Sequence, residues 1–425
     1  MALFNKIFGG KDNKTKISNV NMRKGTYDII CPFCFKKFKS NNVVFRAEHS
    51  EEGDPEYEKT VDEELNNYNQ KIGKSSVPEL NPIIKPESLP KGNIKVVDGV
   101  ILEIKDKYDV TTDKRLCPYC HNELPITSGR GPTSIISVVG ASQVGKSVYM
   151  TCLLYVLEHY VSERFNGALI AGNSEYNEEI KENQQIVFEY NKMLEPTPKE
   201  HIDPLIANFR FKDDTKPPIT FAFYDVPGEG MTDKSYIDKH GEHIKNSSGI
   251  IFLVDPLQMK TLRKKLNILN KEEQGDFTAK YQEPKDILVY FYENFIGKES
   301  GAATDIPTAV VVTKTDMLKN LNDPEYLSPN SNIFKNYKHS IYFDLDEFEN
   351  INGEMKRFLG KADSPFKGAM EAYFRNTSYF GVSALGSNPQ NLEININNTI
   401  NPLRVEEPFL WLMYKMKYIP GGSEK

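Results

Sequence analysis

No apolar run in these 425 residues is long enough to cross a bilayer, and no secretory signal is read at the start. Membrane-spanning and exported classes are therefore set aside, and a cytoplasmic protein is expected. An excess of positive charge is also missing. The formal net charge is -6 and the pI near 5.8, so no global attraction to nucleic acid exists. Cysteine is scarce: there are five, and four of them form two Cys-x-x-Cys pairs. A secreted disulfide scaffold of this length would carry more, so thiolates reserved for metal are the better reading. No internal repeat is found, and no second phosphate-loop motif. What remains is a hydrophobic content of 39% and a charged content of 26%, ordinary for a soluble protein of about two or three domains.

One stretch organises the rest. Gly140, Ala141, Ser142, Gln143, Val144, Gly145, Lys146 and Ser147 form a glycine-bounded loop ending in Lys-Ser, with Val148 next. An apolar run (Ile135, Ile136, Val138, Val139) precedes it and a helical pattern (Tyr149, Leu153, Leu157, Val161) follows. Strand, loop and helix in that order let backbone N–H groups and the helix's positive end cradle phosphates. Lys146 would bridge the β and γ phosphates, and Ser147 would give its hydroxyl to Mg²⁺. Further on, Asp225 ends the apolar run Ile219–Tyr224, where P-loop enzymes place the carboxylate that orients magnesium. Gly228 would let the backbone reach the γ-phosphate.

Strands alternating with helical segments argue for an α/β fold with a mostly parallel sheet. The candidate strands are 135–139, 207–211, 219–224, 249–254, 309–313 and 379–382. Two more motifs lie at strand ends. Thr313, Lys314, Thr315 and Asp316 look like the [Asn/Thr]-Lys-x-Asp motif of GTPases, and Ser383, Ala384 and Leu385 resemble their Ser-Ala-x element. In that motif Asp316 would accept from guanine N1 and the exocyclic amine, with the Lys314 stem along the base. The order of these motifs puts the ligand crevice at the carboxyl ends of the strands.

The chain thus resembles the translation-factor-like (TRAFAC) class of P-loop GTPases over about residues 133–425. With its cysteine-bearing front end and the closing Arg404–Leu412, it looks like the bacterial "double-GTPase" group, thought to act beside a second GTPase in conflict systems. The resemblance implies GTP/GDP and Mg²⁺ as cofactors and a switch that hydrolyses GTP. It also implies a switch threonine, for which Thr197 in its proline-flanked loop is chosen over Thr215 and Thr220. Two departures stand out. Thr313 replaces the usual Asn and loses the amide that ties this loop to the cradle. Glu229 stands where a water-orienting glutamine is common; its carboxylate could orient or activate water, but its charge would also repel the γ-phosphate. Slow hydrolysis, relieved by a partner, is expected.

The front end carries its own site. Cys31, Cys34, Cys117 and Cys120 lie in two Cys-Pro-aromatic-Cys knuckles, a set of four thiolates for a closed, structural zinc. Redox dithiols are the rival reading. His121 reads as a neighbour, Cys152 as a buried apolar residue, and Asp255 as a helix cap. Lys36, Lys37 and Lys39, with Phe35 and Phe38, read as a rim for protein docking; nucleic acid is the less favoured partner. A protein effector or second GTPase is the expected partner.

The resulting division is a flexible tail at 1–26, whose first eleven residues read as a frayed terminus rather than a membrane-surface segment. A zinc ribbon follows at 27–130, with an acidic, proline-rich insertion over about 41–115 read as loop or partly disordered with a strand or two. Thr127–Pro132 is the linker. The GTPase domain covers 131–425, with insertions at about 257–306 and 320–378.

Overall fold

The computed structural model describes the chain apart from residues 1–15, 19, 21, 175, 196–202, 226–241, 266–282, 298–300, 322, 388–399 and 424–425. Between the knuckles, the acidic stretch expected to be loop contains a ten-residue helix, α1 (Glu63–Ile72). Local chemistry sets its ends. Asp62 accepts from the Leu65 N–H at 3.0 Å, and Gly73, at φ 82°, lets the last turn close on Asn69 and Gln70. Tyr68 and Ile72, four residues apart, bury one face. The acidic residues do not prevent order, because Glu63 and Glu64 sit at the helix's positive end. Beyond α1, Ile94–Val97, Val100–Lys105 and Thr111–Thr112 form a three-stranded antiparallel sheet. Arg115–Leu116 then returns beside Val44–Arg46 and brings the second knuckle back to the first.

The remainder is α/β, as expected. Its seven-stranded sheet comprises β1 (Thr133–Gly140), β2 (Gly167–Ala171), β3 (Leu205–Phe211), β4 (Ile219–Asp225), β5 (Gly249–Val254), β6 (Thr308–Val312) and β7 (Thr377–Gly381). The order is β2-β3-β4-β1-β5-β6-β7. The β4-β1-β5-β6-β7 ladders are parallel, and β3 is antiparallel to both its neighbours. All eight β1 residues are buried, as a central strand covered on both faces requires.

Helices flank this sheet. On one face Ile136, Val138, Phe221, Phe223, Ile251 and Leu253 pack against α2 (Lys146–Val156) and α6 (Glu407–Lys415). On the other, Val139, Phe252, Val254, Val310 and Val312 meet α3 (Pro284–Phe291), α4 (Leu345–Ala362) and α5 (Ser364–Tyr373). Within the insertion at about 320–378, the α4–α5 pair is broken at Asp363, whose carboxylate caps α5 through the Phe366 N–H.

Part of that second face is covered by the first knuckle. Ile135, Ile206, Ala222 and Tyr224, from β1, β3 and β4, pack against Ile30, Phe33 and Phe35 of the first knuckle. The Tyr224 hydroxyl donates to the Pro32 carbonyl, and the Phe35 and Tyr224 rings lie 5.7 Å apart. The segment read as a linker is anchored too: Thr127 is fully buried, with its hydroxyl 2.6 Å from that of Thr220. Gly131 runs so close to β4 that a Cβ would lie 1.7 Å from the Pro218 carbonyl oxygen, so only glycine fits. Part of the tail is also ordered. Lys16–Ile17 pairs antiparallel with Gly421–Ser423.

Candidate functional site

The chemistry gathers at the carboxyl ends of the parallel strands. Register places Val138 opposite Asp225 and Gly140 opposite Leu253, so the glycine-bounded loop leaves β1 beside the ends of β4 and β5. Gln143 and Gly145 take positive φ values of 63° and 90°, which turn the loop back into the first turn of α2. Lys146, 9% exposed, donates from Nζ to the Gly140 and Ala141 carbonyls at 3.3 and 3.0 Å. Ser147 Oγ donates to Asp225 Oδ2 at 2.9 Å. The other carboxylate oxygen, Asp225 Oδ1, is buried and has no hydrogen-bond partner among the described residues. Burial pushes the Asp225 carboxyl up from its usual range, while the Lys146 charge and the Ser147 hydroxyl oppose that shift. A hydroxyl, an under-satisfied carboxylate and a helix N-terminus meet here, an arrangement that fits a hydrated divalent cation beside phosphate oxygens.

Across the same rim lies the second loop. Asp316 Oδ1 accepts from Ser383 Oγ at 2.6 Å, and Ser383 Oγ in turn accepts from the Gly386 N–H at 3.0 Å. Thr313 lacks the amide of the commoner asparagine, yet its hydroxyl reaches the Val144 and Val254 carbonyls at 3.4 and 3.3 Å, long contacts that still link this loop to the glycine-bounded one. Val148, Ala384 and Leu385 pack together around the fully buried Cys152. The structure thus brings Lys146, Ser147, Asp225, Thr313 and the Ser383–Leu385 turn to one edge of the sheet. Lys314 does not extend freely: its ammonium is 2.5 Å from Asp255 Oδ2. Thr197, Gly228 and Glu229 lie outside the described residues.

The four knuckle sulfurs form the second site. They all lie within 4.8 Å of one another, with Cys31–Cys120 and Cys34–Cys117 both at 3.7 Å. Tetrahedral zinc at about 2.3 Å from each sulfur would set them about 3.8 Å apart. The two knuckles are the same turn built twice. Phe35 N–H donates to Cys31 O and His121 N–H to Cys117 O, each at 3.0 Å, and both donors have positive φ. The amides of Phe33 and Tyr119 point at the Cys31 and Cys117 sulfurs, at 3.4 and 3.5 Å. Hydrogen bonding from Cys117 holds the Cys34 thiol well below its usual range, whereas burial pushes Cys31 up. The cluster fits a structural zinc, closed to substrate.

His121 is turned away from that cluster. Its Nδ1 lies 2.8 Å from Asp62 Oδ1, and Arg46 pairs with the other Asp62 oxygen. Burial would raise the Asp62 carboxyl, but hydrogen bonds from His121, the Leu65 N–H and Arg46 outweigh it and hold the group at about 2. Asp62 therefore ties α1 to the second knuckle.

Against known proteins, no family model matches this chain. One curated relative is similar. It is described as "Putative ESX-1 scaffolding and assembly protein SaeC" of Mycolicibacterium smegmatis, 22% identical over 320 residues that span 70% of this chain and 78% of that protein.

Two contacts escaped the sequence. Asp255 does cap the following turn, accepting from the Leu257 N–H at 2.8 Å, but its pairing with Lys314 was not foreseen. Gln258, buried at 3% exposure, donates from Nε2 to the Ser142 carbonyl at 3.0 Å. Neither belongs to a recognised spacing, and the only local hint is an acidic residue directly after a continuous apolar strand.

Proposed function

We propose that this chain binds guanine nucleotide with Mg²⁺ at the rim of its sheet and hydrolyses GTP slowly, as a partner-dependent switch. The observation that carries the reading is the Ser147–Asp225 pair at the start of α2, with Asp225 Oδ1 left under-satisfied beside the Lys146 charge. Magnesium held there would neutralise phosphate charge. The chain's own residues do the rest. Loop amides and Lys146 hold the phosphates, and Asp316, oriented by Ser383, faces the base. In this reading the order of the four motifs supports the TRAFAC resemblance and the likeness to the double-GTPase group.

The cysteine module is the partner-docking element, built on structural zinc. Protein is favoured over nucleic acid because the lysine rim is partly spent. Lys37 and Lys39 pair with Asp28, and Lys36 lies over the Tyr119 ring. A second reading is a scaffold that holds GTP with negligible turnover, favoured by the similarity to a protein named for scaffolding and assembly. Single-turnover phosphate release with zinc-loaded protein separates the two. Release over minutes to hours is expected, and GTP still intact and bound after that time supports the scaffold instead.

Base reading has its own test. An aspartate accepts two N–H groups from guanine, whereas an asparagine amide can donate to the xanthine carbonyl. Asp316→Asn should therefore shift preference from GTP toward XTP by at least about tenfold, or about 1.4 kcal/mol. A variant that still prefers GTP in competition binding removes Asp316 from the base site.

A further inference from the structure

We infer that Asp255 is a positioning residue that sets base specificity, by fixing Lys314 in the backbone conformation that presents Asp316. The inference rests on the guanine-nucleotide reading above and adds a residue that none of the four motifs contains. Asp255 follows the last residue of β5, whose Val254 carbonyl accepts from the Thr313 N–H at 2.9 Å. Its side chain is 3% exposed. One carboxylate oxygen is committed to the Leu257 N–H, and the other is 2.5 Å from Lys314 Nζ. A carboxylate this buried is retained only when its charge is paired and its lone pairs are met, and both conditions are satisfied here.

Lys314 is the reason for this pairing. It sits in the left-handed region, at φ 53° and ψ 37°, which a side chain with a Cβ adopts only when its surroundings hold it there. Asp316 lies two residues on, in the first turn of the short helix Thr315–Leu318, so any relaxation at Lys314 swings the Asp316 carboxylate away from Ser383. Asp255 supplies the restraint from outside that loop.

The same turn reaches the other end of the ligand. Gln258, three residues after Asp255, holds the Ser142 carbonyl of the glycine-bounded loop. The segment Asp255–Gln258 is thus a brace with one contact on the phosphate loop and one on the base loop. A nucleotide gripped at both ends is selected by base only if the distance between the grips is fixed.

The test is a specificity ratio. Full-length wild type, Asp255→Asn and Lys314→Met are titrated with Mg·GTP and Mg·ATP by calorimetry. Asparagine keeps an oxygen for the Leu257 cap, removes the charge and puts an amide donor where Lys314 had an acceptor, and methionine keeps the apolar stem of Lys314. Lys314 is about one-third exposed, so its variant folds even if the buried one does not. Each variant should lose about tenfold in GTP affinity with ATP affinity unchanged, about 1.4 kcal/mol taken from base discrimination alone. The double variant should lose no more than either single one, because both remove the same contact. A GTP-to-ATP ratio equal to that of wild type, or an equal fall for both nucleotides, overturns the brace while leaving the nucleotide reading intact. Wild type that binds neither nucleotide overturns that reading, and the brace with it.

Discussion

Replacing Lys146 by alanine should lower GTP affinity by about ten- to a hundredfold while leaving zinc at one ion per chain. The size follows from what the side chain does. Its ammonium is almost enclosed, donates to the Gly140 and Ala141 carbonyls, and bears electrostatically on Asp225. A charge-assisted hydrogen bond to a phosphate in such a place contributes about 1.5–3 kcal/mol, and screening by water is weak there. Alanine removes that contact and the Lys146 charge that opposes the upward shift of the Asp225 carboxyl, so that carboxyl should rise further. The fold should survive, since the apolar face of α2 is made by Met150, Leu153 and Leu154. Calorimetry with Mg·GTP and metal analysis on the same sample check both halves. Unchanged GTP affinity would remove the glycine-bounded loop from the binding site.

Legibility in the sequence followed the range of the interactions. The glycine-bounded loop, the knuckles and the continuous apolar runs of β5 and β6 are each written within a dozen residues, and the structure has each of them in the expected local form. β2 was not foreseen, because Gly167–Ala171 is a short edge strand whose buried Leu169 sits between exposed Ala168 and Ile170, too brief an alternation to stand out. α1 was hidden by the opposite bias. Its acidic composition suggests disorder, yet its Asp62 cap, its Gly73 stop and the Tyr68–Ile72 pair decide for helix.

Contacts between distant segments left no trace. Lys314 and Asp255 are 59 residues apart, and Tyr224 and Pro32 are 192 apart. Nothing in either local pattern says which residue will arrive opposite. The docking of the first knuckle on the sheet could not be read for this reason.

That docking makes zinc removal the other large effect. Cys117→Ser should abolish stoichiometric zinc and unfold the cysteine module at neutral pH. Serine is a poor ligand for zinc, and three thiolates leave the tetrahedral set open. Structural zinc contributes about 10–16 kcal/mol to folding in small metal-dependent domains, more than the short strands here can replace. The module's core has the cysteines at its centre, with Ile29, Phe38 and Phe45 around them, so losing the ion also separates the apolar residues it gathers. The consequence extends into the α/β unit. Ile135, Ile206, Ala222 and Tyr224 would lose the cover of Ile30, Phe33 and Phe35, and Tyr224 would lose its acceptor at Pro32. Burying such side chains contributes about 1.5–3 kcal/mol each, so an exposed face of this kind should lower the melting temperature and promote aggregation. Zinc analysis, thermal melting and limited proteolysis of residues 27–130 measure each step. A Cys117→Ser protein whose module resists protease as wild type does, or wild type without zinc, would show that the four thiols hold the module together by packing alone.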